Sequence, residues 1–161
     1  WLRTAGVTVG PLDLYIEALL KPGVASMSLL LRCVADGKPV LAPPMAGLGI
    51  IDKPSAHLAE AARIAGYRTF GDQMIRIDLV NRIALDLHKQ RSGSDHFLPD
   101  AKLATSMGIG VVTMNRVLRS LGFRPANTQP GQWRWRGLNR PKIDTRPINP
   151  SFAVLACLKK A

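Results

Sequence analysis

The chain has 161 residues, 47% of them hydrophobic and 20% charged, which is enough apolar material for a real core in one domain or two small ones. Twenty-two Lys and Arg against eleven acids leave a net charge of +11, which excludes indifference to polyanions and points to nucleic acid or an anionic surface as partner. No apolar run reaches the roughly eighteen residues of a membrane span, no signal sequence is recognised, and Cys33 and Cys157 have neither CxxC nor Cys-His spacing, so a reducing cytoplasm is expected and a membrane or a metal site is not.

Taken in order, Gly6-Val7-Thr8-Val9-Gly10 predicts a short strand bounded by glycines, and the alternation within residues 12–20 predicts a second. Lys21-Pro22-Gly23 reads as a turn. Met27, Leu30, Leu31 and Val34 recur at helical spacing over residues 24–35 and predict a core helix ended by Gly37. Residues 38–54 mix Pro39, Pro43, Pro44, Gly47, Gly49 and Pro54 with apolar side chains, a composition expected of an irregular crossing loop, so residues 1–54 are expected to form an N-terminal strand-helix part and linker. Ser55 is placed to cap a helix over residues 56–65, Tyr67–Gly71 and Met74–Ile77 suit a small hairpin, and Asp78 is placed to cap an amphipathic helix whose face is Val80, Ile83, Ala84 and Leu87.

Residues 97–124 organise the rest. Pro99 and Asp100 open a helix over residues 101–107, Gly108-Ile109-Gly110 turns the chain, a second helix runs over residues 111–121, and Gly122 suits the left-handed position that closes it. This is the helix-turn-helix pattern, with Leu103, Met107, Ile109, Met114, Val117, Leu118 and Leu121 expected inside and Val112, Thr113, Asn115, Arg116, Arg119 and Ser120 outside. A hairpin follows, from Phe123-Arg124 through Pro130-Gly131 to Trp133-Arg134-Trp135-Arg136, and completes a winged helix over residues 55–137. Beyond it, residues 138–161 read as a basic, Pro-rich connector and a last short helix from Phe152 to Lys160. The expected fold class is thus α+β and mostly helical: a small N-terminal strand-helix part followed by a winged helix-turn-helix.

The charge falls unevenly, since residues 126–161 carry seven basic groups and a single acid, Asp144. Alternation along a strand puts Trp133 and Trp135 on one side and Arg134 and Arg136 on the other. In the bland account the tryptophans cover the core and the arginines are solvated. In the sharper one Arg124, Arg134, Arg136, Arg140 and Lys142 track a phosphate backbone, Trp133 offers a ring for base stacking, and Thr113, Asn115, Arg116 and Arg119 suit phosphates or base edges.

Autonomous catalysis finds no support. Gly47–Ser55 holds glycines, a lysine and a serine but departs from the G-x-x-x-x-G-K-[ST] phosphate loop, and Pro54 opposes the helix that should begin there. His57, His88 and His96 are scattered without metal-ligand spacing, and the serines lack the G-x-S-x-G setting of a hydrolase nucleophile.

Gly6-Val7-Thr8-Val9-Gly10 with Leu14-Tyr15-Ile16-Glu17-Ala18-Leu19-Leu20-Lys21-Pro22, Gly66-Tyr67-Arg68 with Ile75-Arg76-Ile77-Asp78, and the closing Asn149-Pro150-Ser151-Phe152-Ala153-Val154-Leu155-Ala156 resemble the region beyond the second RecA-like domain of alphaproteobacterial DExH-type helicases, which are similar to the mitochondrial RNA-degradation helicase. The likeness spans most of the chain and is most specific at Leu19-Leu20-Lys21-Pro22; the middle loop and the wing match only in character. It implies a parent ATP-dependent RNA helicase, with ATP and Mg confined to its motor domains. This region would then be a non-specific, single-strand-guiding accessory that packs on the RecA-like domains of the same chain, with an RNA-degradation nuclease as a further partner. No ATPase motif of that family maps onto this chain, and a start at Trp1 is expected of a piece of a longer protein. Two rivals stand beside this reading: a winged-helix transcriptional regulator reading duplex DNA, and a protein-interaction module docking through the surface around Val112.

Overall fold

In the computed structural model of the protein, residues 2–44, 47–126 and 130–138 are described. Among them the chain is α+β, with five α-helices and three small antiparallel sheets. The first sheet pairs β1 (Thr8–Val9) with β2 (Leu14–Tyr15). The strand expected over residues 12–20 stops after Tyr15, and Glu17–Leu20 forms a 3-10 turn. With only two residues in β1 to pair with, the helix-forming Ala18-Leu19-Leu20 goes its own way. The Tyr15 hydroxyl accepts from Asn81 Nδ2 at 3.1 Å, and Arg68 Nη1 donates to Asp13 Oδ1 at 2.7 Å and to the Leu12 carbonyl at 3.2 Å, which ties the small sheet to the body of the chain.

Helix α1 (Pro22–Ala35) starts two residues early, because Pro22 at its first turn needs no N–H partner. Its orientation reverses the expectation. Met27, Leu30, Leu31 and Val34 are exposed, and the buried face is Ala25, Leu29 and Cys33. The helix is apolar nearly all round, so periodicity identifies two faces, and the narrow one carrying Ala25 and Cys33 fits against the alanines of α2 (Ala56–Ile64), where Ala61 and Ala62 are fully buried. Ser55 does sit at the N-cap of α2, but its hydroxyl lies 3.3 Å from His57 Nδ1 and caps no backbone amide.

The second sheet joins β3 (Ile50–Asp52), β4 (Tyr67–Phe70) and β5 (Gln73–Arg76) in the order β3-β5-β4. β3 comes from the stretch expected to be irregular. Ile50 and Ile51 are β-branched and find a partner edge on β5, so pairing overrides the surrounding Pro and Gly residues. Helix α3 (Ile77–Arg91) leaves β5 directly, with Arg76 rather than Asp78 in the capping position. Asp78 lies in the first turn and accepts from Arg76 Nε at 2.7 Å and Nη2 at 2.8 Å. The expected face of Val80, Ile83, Ala84 and Leu87 is the buried one.

After α3 come β6 (His96–Phe97), α4 (Ala101–Ser106), α5 (Val111–Ser120), β7 (Phe123–Pro125) and β8 (Trp133–Trp135), with β6, β8 and β7 adjacent in that order. Asp100 caps α4 by accepting from the Lys102 amide at 2.9 Å. Ile83, Leu87, Phe97, Val117, Leu118, Leu121, Phe123 and Trp133 close one core between α3, α5 and the sheet. Each fully buried large side chain among them contributes about 1.5–3 kcal/mol of transfer free energy. Gly122, at φ +88°, turns α5 into β7 so closely that a Cβ there would meet the Gly137 carbonyl. The connector and last helix expected beyond residue 138 lie outside the described residues.

Candidate nucleic-acid interface

Strand register decides which side chains meet. Arg134 on the central strand β8 faces His96 on β6 and Arg124 on β7, so these three side chains form one row across the sheet. The row spans about 10 Å, two inter-strand spacings. On the opposite side Trp133 pairs with Phe97 and Pro125, and Trp135 with Phe123, and these rings join the core. Trp135 is half-buried: its ring lies 5.5 Å from His88 and 4.8 Å from the Arg91 guanidinium carbon.

Two like charges opposed across a ladder repel, and the surroundings moderate this only in part. One terminal nitrogen of Arg124 donates to the Arg119 carbonyl at 2.8 Å and to the Phe123 carbonyl at 2.9 Å, which fixes the guanidinium at the C-terminal end of α5. Arg134 lies 3.8 Å from Asp95, itself 73% exposed, a loose surface pair worth little. Arg136 is exposed, and its amide donates to the Gly122 carbonyl at 2.9 Å, extending the pairing by one step so that alternation keeps it on the side of Arg134.

The remaining expected contact residues divide. Asn115, Arg116 and Arg119 are exposed on α5, whereas Thr113 is 5% exposed and faces inward, a correction to the outward placement. α5 meets the β4–β5 hairpin as well as the helices, so its buried arc runs through Thr113, Met114, Val117, Leu118 and Leu121, wider than a two-helix packing implies. Trp133 is 7% exposed and offers no ring to a ligand, a second correction: it is the side chain that seals the sheet onto the core. Arg140 and Lys142 lie outside the described residues.

The N-terminal end of α5 is also occupied. Gln73 on β5 accepts from the Gly110 amide at 3.1 Å and donates to the Gly108 carbonyl at 3.4 Å, bridging the turn between α4 and α5. The Arg116 guanidinium lies so close over Gly71, at the tip of the β4–β5 hairpin, that a Cβ there would collide with it. Sequence reasoning missed Gln73, because nothing local marks a glutamine that reaches thirty-five residues along the chain. It missed the row position of His96 because β6 is only two residues long, too short to show alternation.

Elsewhere a cleft of about 690 Å³ between the start of α1 and α3 is lined by Tyr15, Glu17, Lys21, Arg76, Asp78 and Arg82, groups of both signs. Burial drives the Asp78 carboxyl upward, but the hydrogen bonds and charge of Arg76 outweigh it and hold the group below the usual carboxylate range. Burial, helped by nearby Arg91, lowers the His88 imidazole below the ordinary histidine value, which suits a neutral ring set between Phe123 and Trp135. Among the described residues no group of His, Cys, Asp and Glu is arranged to hold a metal ion, and no helix is long and apolar enough to cross a membrane. No family model matches the chain, and neither a curated protein nor a solved structure matches it.

Proposed function

We propose that this chain is a non-specific, single-strand-binding accessory region of an ATP-dependent RNA helicase, built around a winged helix. The order helix, strand, helix, helix, strand, strand over α3, β6, α4, α5, β7 and β8, with the first strand beside the last, supports the winged-helix reading. The observation that carries the binding role is the register that sets Arg124 and Arg134 side by side on the outer face of the sheet, with Arg136 two residues on, in a chain of net charge +11. Among the described residues neither arginine is neutralised by an internal acid: Arg124 is held by backbone carbonyls, and Arg134 is paired with exposed Asp95. The helicase parent, with ATP and Mg at its motor domains and a nuclease among its partners, rests on the resemblance in sequence alone.

The rival of a duplex-reading regulator is disfavoured by the state of α5. A recognition helix enters the major groove with its N-terminal residues, and here that end is bridged by Gln73 and flanked by Arg116 lying over Gly71, with Thr113 turned inward. The exposed Val111 and Val112 at the same end suit the protein-docking rival, which predicts no nucleic-acid binding.

Affinity for a fluorescent single-stranded RNA measured against salt tests the proposal. Binding should weaken steeply as salt rises, and Arg124→Ala with Arg134→Ala should flatten the log–log slope by about 1.4, two phosphate contacts on a single strand. Absence of binding at low salt, or an unchanged slope in the double variant, refutes it.

A further inference from the structure

We infer that His96 is the side chain on which a base of the bound strand stacks, so that the outer face of the β6-β8-β7 sheet combines phosphate and base contacts. The inference rests on the single-strand-binding reading above and adds a contact of different chemistry. Single-strand sites pair cations along the backbone with a ring for the bases, because every base has a π-face whatever its sequence. The ring expected to serve, Trp133, is packed in the core, and Trp135 is engaged by His88 and Arg91. Tyr15, Tyr67, Phe70, Phe97 and Phe123 are buried as well. Among the described residues only His57 and His96 present an exposed ring, and the His57 imidazole is beside the Ser55 hydroxyl at the start of α2.

Among the described residues His96 is therefore the one such ring in the row with Arg134 and Arg124. It stands directly opposite Arg134, with Arg124 one strand further on, so a phosphate held between the arginines leaves the adjoining base within reach of the imidazole across about one inter-strand spacing. β6 is an edge of the sheet, so nothing within the sheet covers His96 from the far side. Arg134 can stack as well as pair, and the two planes together form a platform for one base.

The test uses the full chain and an oligouridine RNA labelled at one end, with wild type, His96→Ala, His96→Phe and His96→Lys compared over a range of salt. His96→Ala should weaken binding roughly ten- to hundredfold with the salt slope unchanged, and His96→Phe should restore affinity, since a ring rather than a charge is required. An oligomer of abasic sites should bind wild type and His96→Ala equally. Should His96→Ala bind within twofold of wild type while Arg124→Ala with Arg134→Ala does not, the stacking role fails and the phosphate row stands. Rescue by His96→Lys rather than His96→Phe, with a changed salt slope, also overturns it in favour of a charge contact. If wild type fails to bind RNA in low salt, this inference falls together with the function it rests on.

Discussion

Helices α1 and α5 both carry apolar residues at their surface, but their surroundings differ. α5 is gripped from several sides, by α3 and α4, by the β4–β5 hairpin and by the sheet that follows it, and what it leaves exposed is Val111 and Val112 beside Asn115, Arg116 and Arg119. α1 touches mainly α2 and the 3-10 turn, buries Ala25, Leu29 and Cys33, and exposes Val24, Met27, Leu30, Leu31 and Val34. Spacing predicts a core helix over residues 24–35 through Met27, Leu30, Leu31 and Val34, the side chains that end up exposed. The difference teaches that an apolar stripe records what a helix can bury, while the partners available decide which part of it is buried.

The largest effect expected from breaking this contrast lies at the junction that holds the C-terminal half together. Gly122→Ala combines a left-handed backbone with a Cβ thrust into the Gly137 carbonyl, and should cost on the order of 2–4 kcal/mol in a urea melt followed by tryptophan fluorescence. A comparison of similar size but more pointed lies within α1. Leu29→Ala removes a side chain that is 1% exposed and should cost about 2–4 kcal/mol, whereas Leu31→Ala, at 61% exposed, should stay within about 0.5 kcal/mol. Were the two costs equal, the assignment of the buried face would be wrong.

Acid titration sharpens the comparison from another side. The lowered value of Asp78 means that the unfolded chain takes up a proton before the folded one, so its contribution is complete above the ordinary carboxylate range and is lost as pH falls from there through the lower folded value. His88 acts in the same direction at higher pH: its folded value lies below the ordinary one, so stability is full above about 6.5 and declines on acidification. Denaturant midpoints should therefore fall in two stages as pH drops, and His88→Phe should abolish the upper stage while leaving the lower. The smallest effect is expected at Asp95. Asp95→Asn frees Arg134 from its loose pair and should tighten RNA binding by about twofold at low salt, with no gain at high salt.

Much of the C-terminal half is legible in the sequence because its signals are local. Asp100 caps α4, Gly108 and Gly122 turn left-handed at φ +69° and +88°, and the Trp-Arg alternation states which side chains share a face. α3 shows its buried side without ambiguity, since Val80, Ile83, Ala84 and Leu87 are flanked by charge. Other features are not local at all. β3 pairs only because β5 presents an edge to it, Thr113 turns inward because a hairpin covers that side of α5, and Gln73 bridges the α4–α5 turn from a distant strand.

The sequence by itself determined the surplus of positive charge, the glycine turns that end α4 and α5 and the separation of arginines from tryptophans along β8, because each depends on composition or on the local pattern of a single element. Only the tertiary structure decided that His96, Arg134 and Arg124 stand in one row, that Trp133 is buried and Trp135 half-buried, and that α1 turns Ala25, Leu29 and Cys33 inward. Those outcomes depend on pairing register and on competition among elements for the same apolar surface, and both are properties of contacts between residues far apart in the chain.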